Sequence, residues 1–194
     1  MSIPVVLIIG RQNVGKSSLF NMLAKRRISI THPTSGTTRD TISETILCED
    51  KLVQIVDAPG LELSSKDEIL TSARNRLFSI INKCDAFIFM VSASDGFVPL
   101  DSEIADIIRK TGKPVILVVN KCDHPDKDYL VAEFHRLGFG EPLAFSVMAR
   151  RGTEELIKRL AELLPDITER QSEPIIRVAI CGRRNSGKST LLNR

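Results

Sequence analysis

The chain has 194 residues, of which 42% are hydrophobic and 26% charged, with no tryptophan and a formal net charge of +3 at pH 7. That length provides one or two domains with a sizeable core, and a charge this mild admits an anionic ligand without demanding a nucleic acid. No apolar run is long enough to span a membrane. The first residues enter a strand without a charged leader, and Cys48, Cys84, Cys122 and Cys181 lack metal-ligand spacing. A soluble cytoplasmic protein with reduced cysteines and no membrane partner is expected.

The apolar run Pro4–Ile9 leads directly into Gly10-Arg11-Gln12-Asn13-Val14-Gly15-Lys16-Ser17, and Ser18–Ala24 follows at helical spacing. Strand, G-x-x-x-x-G-K-[ST] and helix in that order make a phosphate-binding loop. The glycines let the backbone curl so that its N–H groups face inward, and the helix adds its positive N-terminal end. Lys16 would reach the β- and γ-phosphates, and the Ser17 hydroxyl would take one position on Mg²⁺. The polar stretch 26–40, with Pro33, Ser35, Gly36, Thr37 and Thr38, has the periodicity of neither regular element and is expected to be a loop. Residues 41–48 and 51–57 form an expected antiparallel hairpin joined at Glu49-Asp50, ending in Asp57-Ala58-Pro59-Gly60. A second loop from Leu61 precedes a helix over about 67–82 and a strand over 86–91. A helix over 102–110 then leads to strand 114–119, which ends in Asn120-Lys121-Cys122-Asp123. A helix over about 128–137, a short strand over 142–145 ending at Ser146-Val147-Met148, and a helix over 153–164 complete the unit.

Alternation of strands and helices predicts an α/β fold: a mostly parallel six-stranded sheet with one antiparallel edge strand and helices on both faces. Ligands bind such sheets beyond the carboxyl ends of the strands, where the loop at Gly10, Asp57, Asn120 and Ser146 would gather. After the proline-bounded polar linker 165–174, a second strand runs into Gly182-Arg183-Arg184-Asn185-Ser186-Gly187-Lys188-Ser189, a repeat of the first loop. Residues 1–164 are thus expected to be one domain, and 175–194 the truncated start of another, too short to build a core.

A phosphate loop alone indicates a nucleoside triphosphate. Asn120-Lys121-Cys122-Asp123 narrows the base to guanine, because the Asp123 carboxylate offers two acceptors to the N1–H and 2-amino donors that adenine lacks. Ser146-Val147-Met148 would back the base with main chain, although a plain strand-to-loop junction reads equally there. Mg²⁺ takes few protein oxygens and keeps its waters. Ser17 and Thr38 would ligate it directly and Asp57 through water, with Gly60 N–H on the γ-phosphate and Thr37 an adjacent rival to Thr38.

The set G-R-Q-N-V-G-K-S, T-T-R-D, D-A-P-G, N-K-C-D and S-V-M, in this order, resembles the translation-factor-like GTPases of the Era group. The repeated loop resembles the EngA (Der) family, with two tandem G domains and a C-terminal KH-like domain. The resemblance implies a P-loop NTPase of the Ras-like G-domain kind that binds GTP and GDP, hydrolyses GTP with Mg²⁺, and works on the large ribosomal subunit or its rRNA. It implies that the threonine before Arg39-Asp40, Thr38, is the effector-loop threonine. The phosphate site then comprises residues 10–18, Gly10 to Ser18, with Asp57, Ala58, Pro59, Gly60 and Leu61. Ala58 and Val147 stand where the family has threonine and alanine. Leu61 occupies the place where Ras-type enzymes orient water with glutamine. The same resemblance implies that Asn13 helps hold K⁺ beside the phosphates. Two other classes share the loop: a small-molecule kinase, which has no use for Asn120–Asp123, and a GTP-dependent binding module without turnover, which Leu61 allows.

Overall fold

The computed structural model describes residues 3–25, 42–57 and 79–164. Its centre is a six-stranded sheet in the order β2-β3-β1-β4-β5-β6. The strands are β1 (Val5–Ile9), β2 (Ile42–Cys48), β3 (Lys51–Asp57), β4 (Ala86–Ser92), β5 (Val115–Asn120) and β6 (Leu143–Ala144). Only β2 runs antiparallel, paired to β3 through a two-residue turn that leaves Cys48 opposite Lys51. All seven residues of β4 are buried, as a central strand covered on both faces requires.

Alternation along the strands splits the core in two. Val6 and Ile8 of β1 pack on one face with Leu19, Phe20 and Leu23 of α1 (Lys16–Ala24) and with Leu156 and Leu160 of α3 (Thr153–Leu163). Leu7 and Ile9 pack on the other with Ile104 and Ile108 of α2 (Pro99–Arg109), Ile81 of the helical residues 79–83, and Phe134. The expected mostly parallel sheet with one antiparallel edge strand and a helical layer on each face is the architecture observed.

Three element readings are corrected. Helix α2 begins at Pro99 rather than residue 102, because proline's fixed φ suits the first helical position and the Asp101 carboxylate accepts the Val98 N–H (3.3 Å). The segment expected to be a helix over 128–137 is a 3₁₀ helix, Pro125–Leu137. Its buried residues Val131, Phe134 and Leu137 recur every three positions, the repeat of a helix with three residues per turn. Strand β6 is shorter than expected, although Phe145 N–H still donates to the Val119 carbonyl (2.9 Å). The residues 26–41, 58–78 and 165–194, with the loops, the first residue of the expected hairpin, most of the helix expected over about 67–82, the linker and the second phosphate loop expected there, lie outside the described residues. Among the described residues, no helix is long and apolar enough to cross a membrane.

Candidate functional site

In the sheet order, β1 lies between β3 and β4, so the chain's crossovers leave it in opposite directions. That reversal opens a crevice beyond the carboxyl ends of the strands. The loop from Gly10 to Ser17 emerges from β1 into this crevice. A Cβ on Gly10 would sit 2.2 Å from the Met90 carbonyl oxygen of β4, so only glycine lets the loop start so close to the sheet. Gly15 has φ +104°, and a Cβ there would meet Asn120 Nδ2 at 2.4 Å. Asn13 holds a left-handed φ of 61°, which asparagine tolerates better than most residues.

Helix α1 begins at Lys16 with no side chain capping its N-terminus and no acidic residue in its first turn. Its first N–H groups therefore carry their unneutralised positive end into the crevice, a place suited to a phosphate. Lys16 Nζ donates to the Arg11 carbonyl (2.7 Å). Burial holds the Lys16 pKa below its ordinary value, with Asp57 opposing and Arg11 reinforcing that shift. An anion entering the curl would replace the hydration this ammonium lacks. Ser17 and Ser18 are exposed beside it. An open cleft of about 930 Å³ adjoins Ser18, running between α1 and the segment into α3 past Met22, Val147 and Thr153.

Asp57, the last residue of β3, is 2% exposed, and among the described residues its Oδ1 has no hydrogen-bond partner. A buried carboxylate oxygen left unpaired costs about 1–3 kcal/mol or more, so it fits a site completed by an external donor. A water on a hard cation is such a donor. With the exposed Ser17 hydroxyl on the neighbouring strand's loop, the residues present suit Mg²⁺.

Asn120 ends β5 and ties the two loops together. Its Nδ2 donates to the Val14 carbonyl (2.7 Å), and its Oδ1 accepts from Val147 N–H (3.1 Å). Lys121 takes a left-handed φ of 68°, turning the chain sharply out of the strand. Cys122 is buried, which pushes its thiol pKa up, and its N–H donates to the Phe145 carbonyl (2.9 Å). Ser146 Oγ donates to Asp123 Oδ1 (2.6 Å) and accepts from Ala149 N–H (2.9 Å), so the carboxylate is oriented before any ligand arrives. Arg151 braces this loop, donating to the Cys122 carbonyl (3.3 Å) and to Asp128 Oδ1 (2.6 Å). Met148 is 93% exposed at the loop's tip.

The phosphate loop, Asp57, Asn120–Asp123 and Ser146–Met148 thus share one edge of the sheet. Thr38, Ala58, Pro59, Gly60, Leu61 and the repeat from Gly182 to Ser189 lie outside the described residues. Cys48, Cys84 and Cys122 are free and buried. Sequence reasoning missed three contributors: Asp95, Asp101 and Arg151. The polar run Ser92-Ala93-Ser94-Asp95, thrown off the end of buried β4, carried the same signal that drew attention to Asp57.

Residues 5–121 match the family model described as "50S ribosome-binding GTPase". The chain belongs to that family. It is similar to proteins named GTPase Der: 41% identical over 198 residues to that of Chloroflexus aggregans, covering 98% of this chain and 44% of the relative. To that of Nostoc sp. it is 41% identical over 194 residues, covering 100% of this chain and 43% of the relative. The chain therefore spans less than half the length of these curated relatives. Among solved structures it resembles an Era variant from Aquifex aeolicus bound to GDP.AlF4-, with a TM-score of 0.70 and 31% identity over 86% of this chain and 58% of that one. It also resembles Era in complex with MgGDPNP and nucleotides 1506–1542 of 16S ribosomal RNA, with a TM-score of 0.68, 31% identity and the same coverage. The six-stranded P-loop GTPase fold is shared with both.

Proposed function

We propose that residues 1–164 form a G domain that binds GTP and hydrolyses it to GDP with Mg²⁺, as a switch in assembly of the large ribosomal subunit. The observation that carries this is the pairing of two preformed half-sites. An uncapped helix end with Lys16 suits phosphates, and the Asp123 carboxylate, held by Ser146 Oγ at 2.6 Å, suits the two donors of guanine. The family match and the relatives named GTPase Der support the same reading.

Mg²⁺ would be held by Ser17 and Thr38 directly and by Asp57 through water. When bound, it neutralises charge on the β- and γ-phosphates. Lys16 contributes a second positive charge, and the loop's N–H groups position the transferred phosphoryl group. Leu61 cannot polarise water, so a further charge is needed; Asn13, exposed and left-handed in the loop, is assigned to a K⁺ ion there. GTP would order the segments around Thr38 and after Gly60, and hydrolysis would release them. Residues 165–174 are read as a linker and 175–194 as the start of a second G domain, with Gly182–Ser189 its phosphate loop. Work on the ribosome is proposed for the longer protein of which such tandem domains are part.

The experiment is phosphate release from GTP and from ATP, with Mg²⁺ and either KCl or NaCl at equal ionic strength. GTP-specific turnover, faster in potassium and no longer so in Asn13→Ala, is expected. Asp123→Asn should move preference from guanine to xanthine, whose 2-oxo group is an acceptor where guanine has a donor. Equal turnover of ATP and GTP by the parent refutes the base assignment. Tight GTP binding without turnover in either salt favours the binding-module reading that Leu61 allows.

A further inference from the structure

Beyond the loop's own curl, its second residue is anchored to a cluster that the nucleotide motifs do not include. Arg11 is only 14% exposed, with Nη2 2.8 Å from Asp95 Oδ2 and Nε 3.4 Å from Asp101 Oδ1. Its guanidinium is therefore ion-paired with two carboxylates, by proximity of charge and without hydrogen-bond geometry at Nε, Nη2 or Asp101 Oδ1. Asp101 is wholly buried at the start of α2, where burial pushes its pKa up while the Val98 N–H and Arg11 act against that shift. A buried carboxylate needs a cation, and the phosphate loop supplies it.

Asp95 also receives a second cation. Lys121 Nζ reaches Asp95 Oδ1 at 3.4 Å, so one carboxylate meets a side chain from the phosphate loop and another from the base loop. Its orientation is fixed from beneath. Ser94 Oγ donates to Asp95 Oδ1 (2.7 Å), Ser92 and Ser94 hydroxyls lie 3.0 Å apart, and Ala93 N–H donates to the Asn120 carbonyl (2.9 Å). The Ser94 hydroxyl and then the Arg11 guanidinium hold the Asp95 carboxyl well below the usual carboxylate range. The acid rests on the paired ends of β4 and β5, rigid supports for a contact that must not drift.

We propose that Asp95 is a positioning residue that couples the phosphate loop to the base loop through Arg11 and Lys121, with buried Asp101 fixing Arg11 from its other side. The two acids set Arg11, whose carbonyl in turn holds Lys16 Nζ, so they set the ammonium that meets the phosphates. Asp95 alone also sets Lys121 over the nucleotide's other half. This coupling rests on the GTP-site reading given above.

The different reach of the two acids gives the test. Affinities of the 194-residue chain for GDP and for inorganic pyrophosphate are measured by displacement of a fluorescent GDP derivative. Asp101→Asn keeps an oxygen acceptor for the Val98 N–H and, of the two loop cations, disturbs Arg11 and not Lys121, so it should weaken both ligands by the same factor, roughly fivefold. Asp95→Asn disturbs both loops and should weaken GDP roughly tenfold but pyrophosphate only about threefold. Ser94→Ala, a mild change at an exposed position, should act in the same direction as Asp95→Asn at about twofold to threefold on GDP, and keeps the test decisive where Asp95→Asn unfolds. A lowered unfolding temperature with both affinities unchanged makes the acids structural only and overturns the proposal. Equal weakening of both ligands by Asp95→Asn and by Ser94→Ala overturns the coupling to Lys121. A parent that binds pyrophosphate but not GDP overturns the guanine reading and the coupling together, whereas a parent that binds both with unaffected variants overturns the coupling alone.

Discussion

Asn120 is the residue whose removal the structure prices most directly. It is 5% exposed, and its amide makes two bonds in opposite directions, to the Val14 carbonyl at 2.7 Å and from the Val147 N–H at 3.1 Å. In Asn120→Ala the Val14 carbonyl, on a fully buried residue, keeps no partner, a loss of about 1–3 kcal/mol. Val147 is only partly buried, so water reaches its N–H and the second loss is about 1 kcal/mol. Together they total about 2–4 kcal/mol; the loss falls on folding stability where the chain unfolds, and on nucleotide binding to the extent that the freed loops part in the folded chain and must be brought together again by the ligand. Expressed wholly in binding, that range corresponds to a loss of roughly 30- to 700-fold in affinity. Denaturant unfolding of the nucleotide-free chain and calorimetric titration with GDP measure the two shares. A summed loss below about 1 kcal/mol would refute the claim that Asn120 holds the loops together. Asn120→Asp is the sharper perturbation. It keeps the acceptor for Val147 but sets a carboxylate oxygen against the Val14 carbonyl, so it should cost more than the alanine variant despite matching asparagine in shape.

Two further outcomes follow from the same geometry. Gly10→Ala drives a methyl to 2.2 Å from the Met90 carbonyl oxygen, and backbone in the centre of a sheet cannot step aside; a stability loss of about 1–3 kcal/mol is expected from the denaturation midpoint, and an unchanged midpoint contradicts the close approach. Asp128 has its pKa lowered by the Arg151 hydrogen bond, so the pair's contribution is present above the unfolded carboxylate pKa near 4 and disappears as pH falls through the lower folded value. Parent and Asp128→Asn should therefore differ in unfolding temperature at pH 7 and converge under acid; a gap that persists undiminished to about pH 2 would assign it to packing instead.

The sequence of this chain carries its local chemistry openly. Gly10–Ser17 announces itself because a phosphate curl needs glycine where a Cβ would strike Met90 or Asn120, and lysine and serine at fixed offsets after it. The strands were readable because burial on both faces leaves uninterrupted apolar runs such as Ala86–Val91, and the hairpin because Glu49-Asp50 separates two short β-rich runs. What the pattern did not settle was the helix type of Pro125–Leu137: buried positions every three residues fit a 3₁₀ spiral, but a 3.6-residue period covers much the same apolar set. Nor did it reveal where charges are spent. Arg11 stands in the phosphate loop, yet its guanidinium lies between Asp95 and Asp101, 84 and 90 positions away in the chain. Periodicity and motif spacing describe each segment's own needs, whereas an ion pair depends on which strand ends the sheet order brings side by side. Only the placement of β4 between β1 and β5 does that here, and it is the tertiary structure that makes one carboxylate common to both loops.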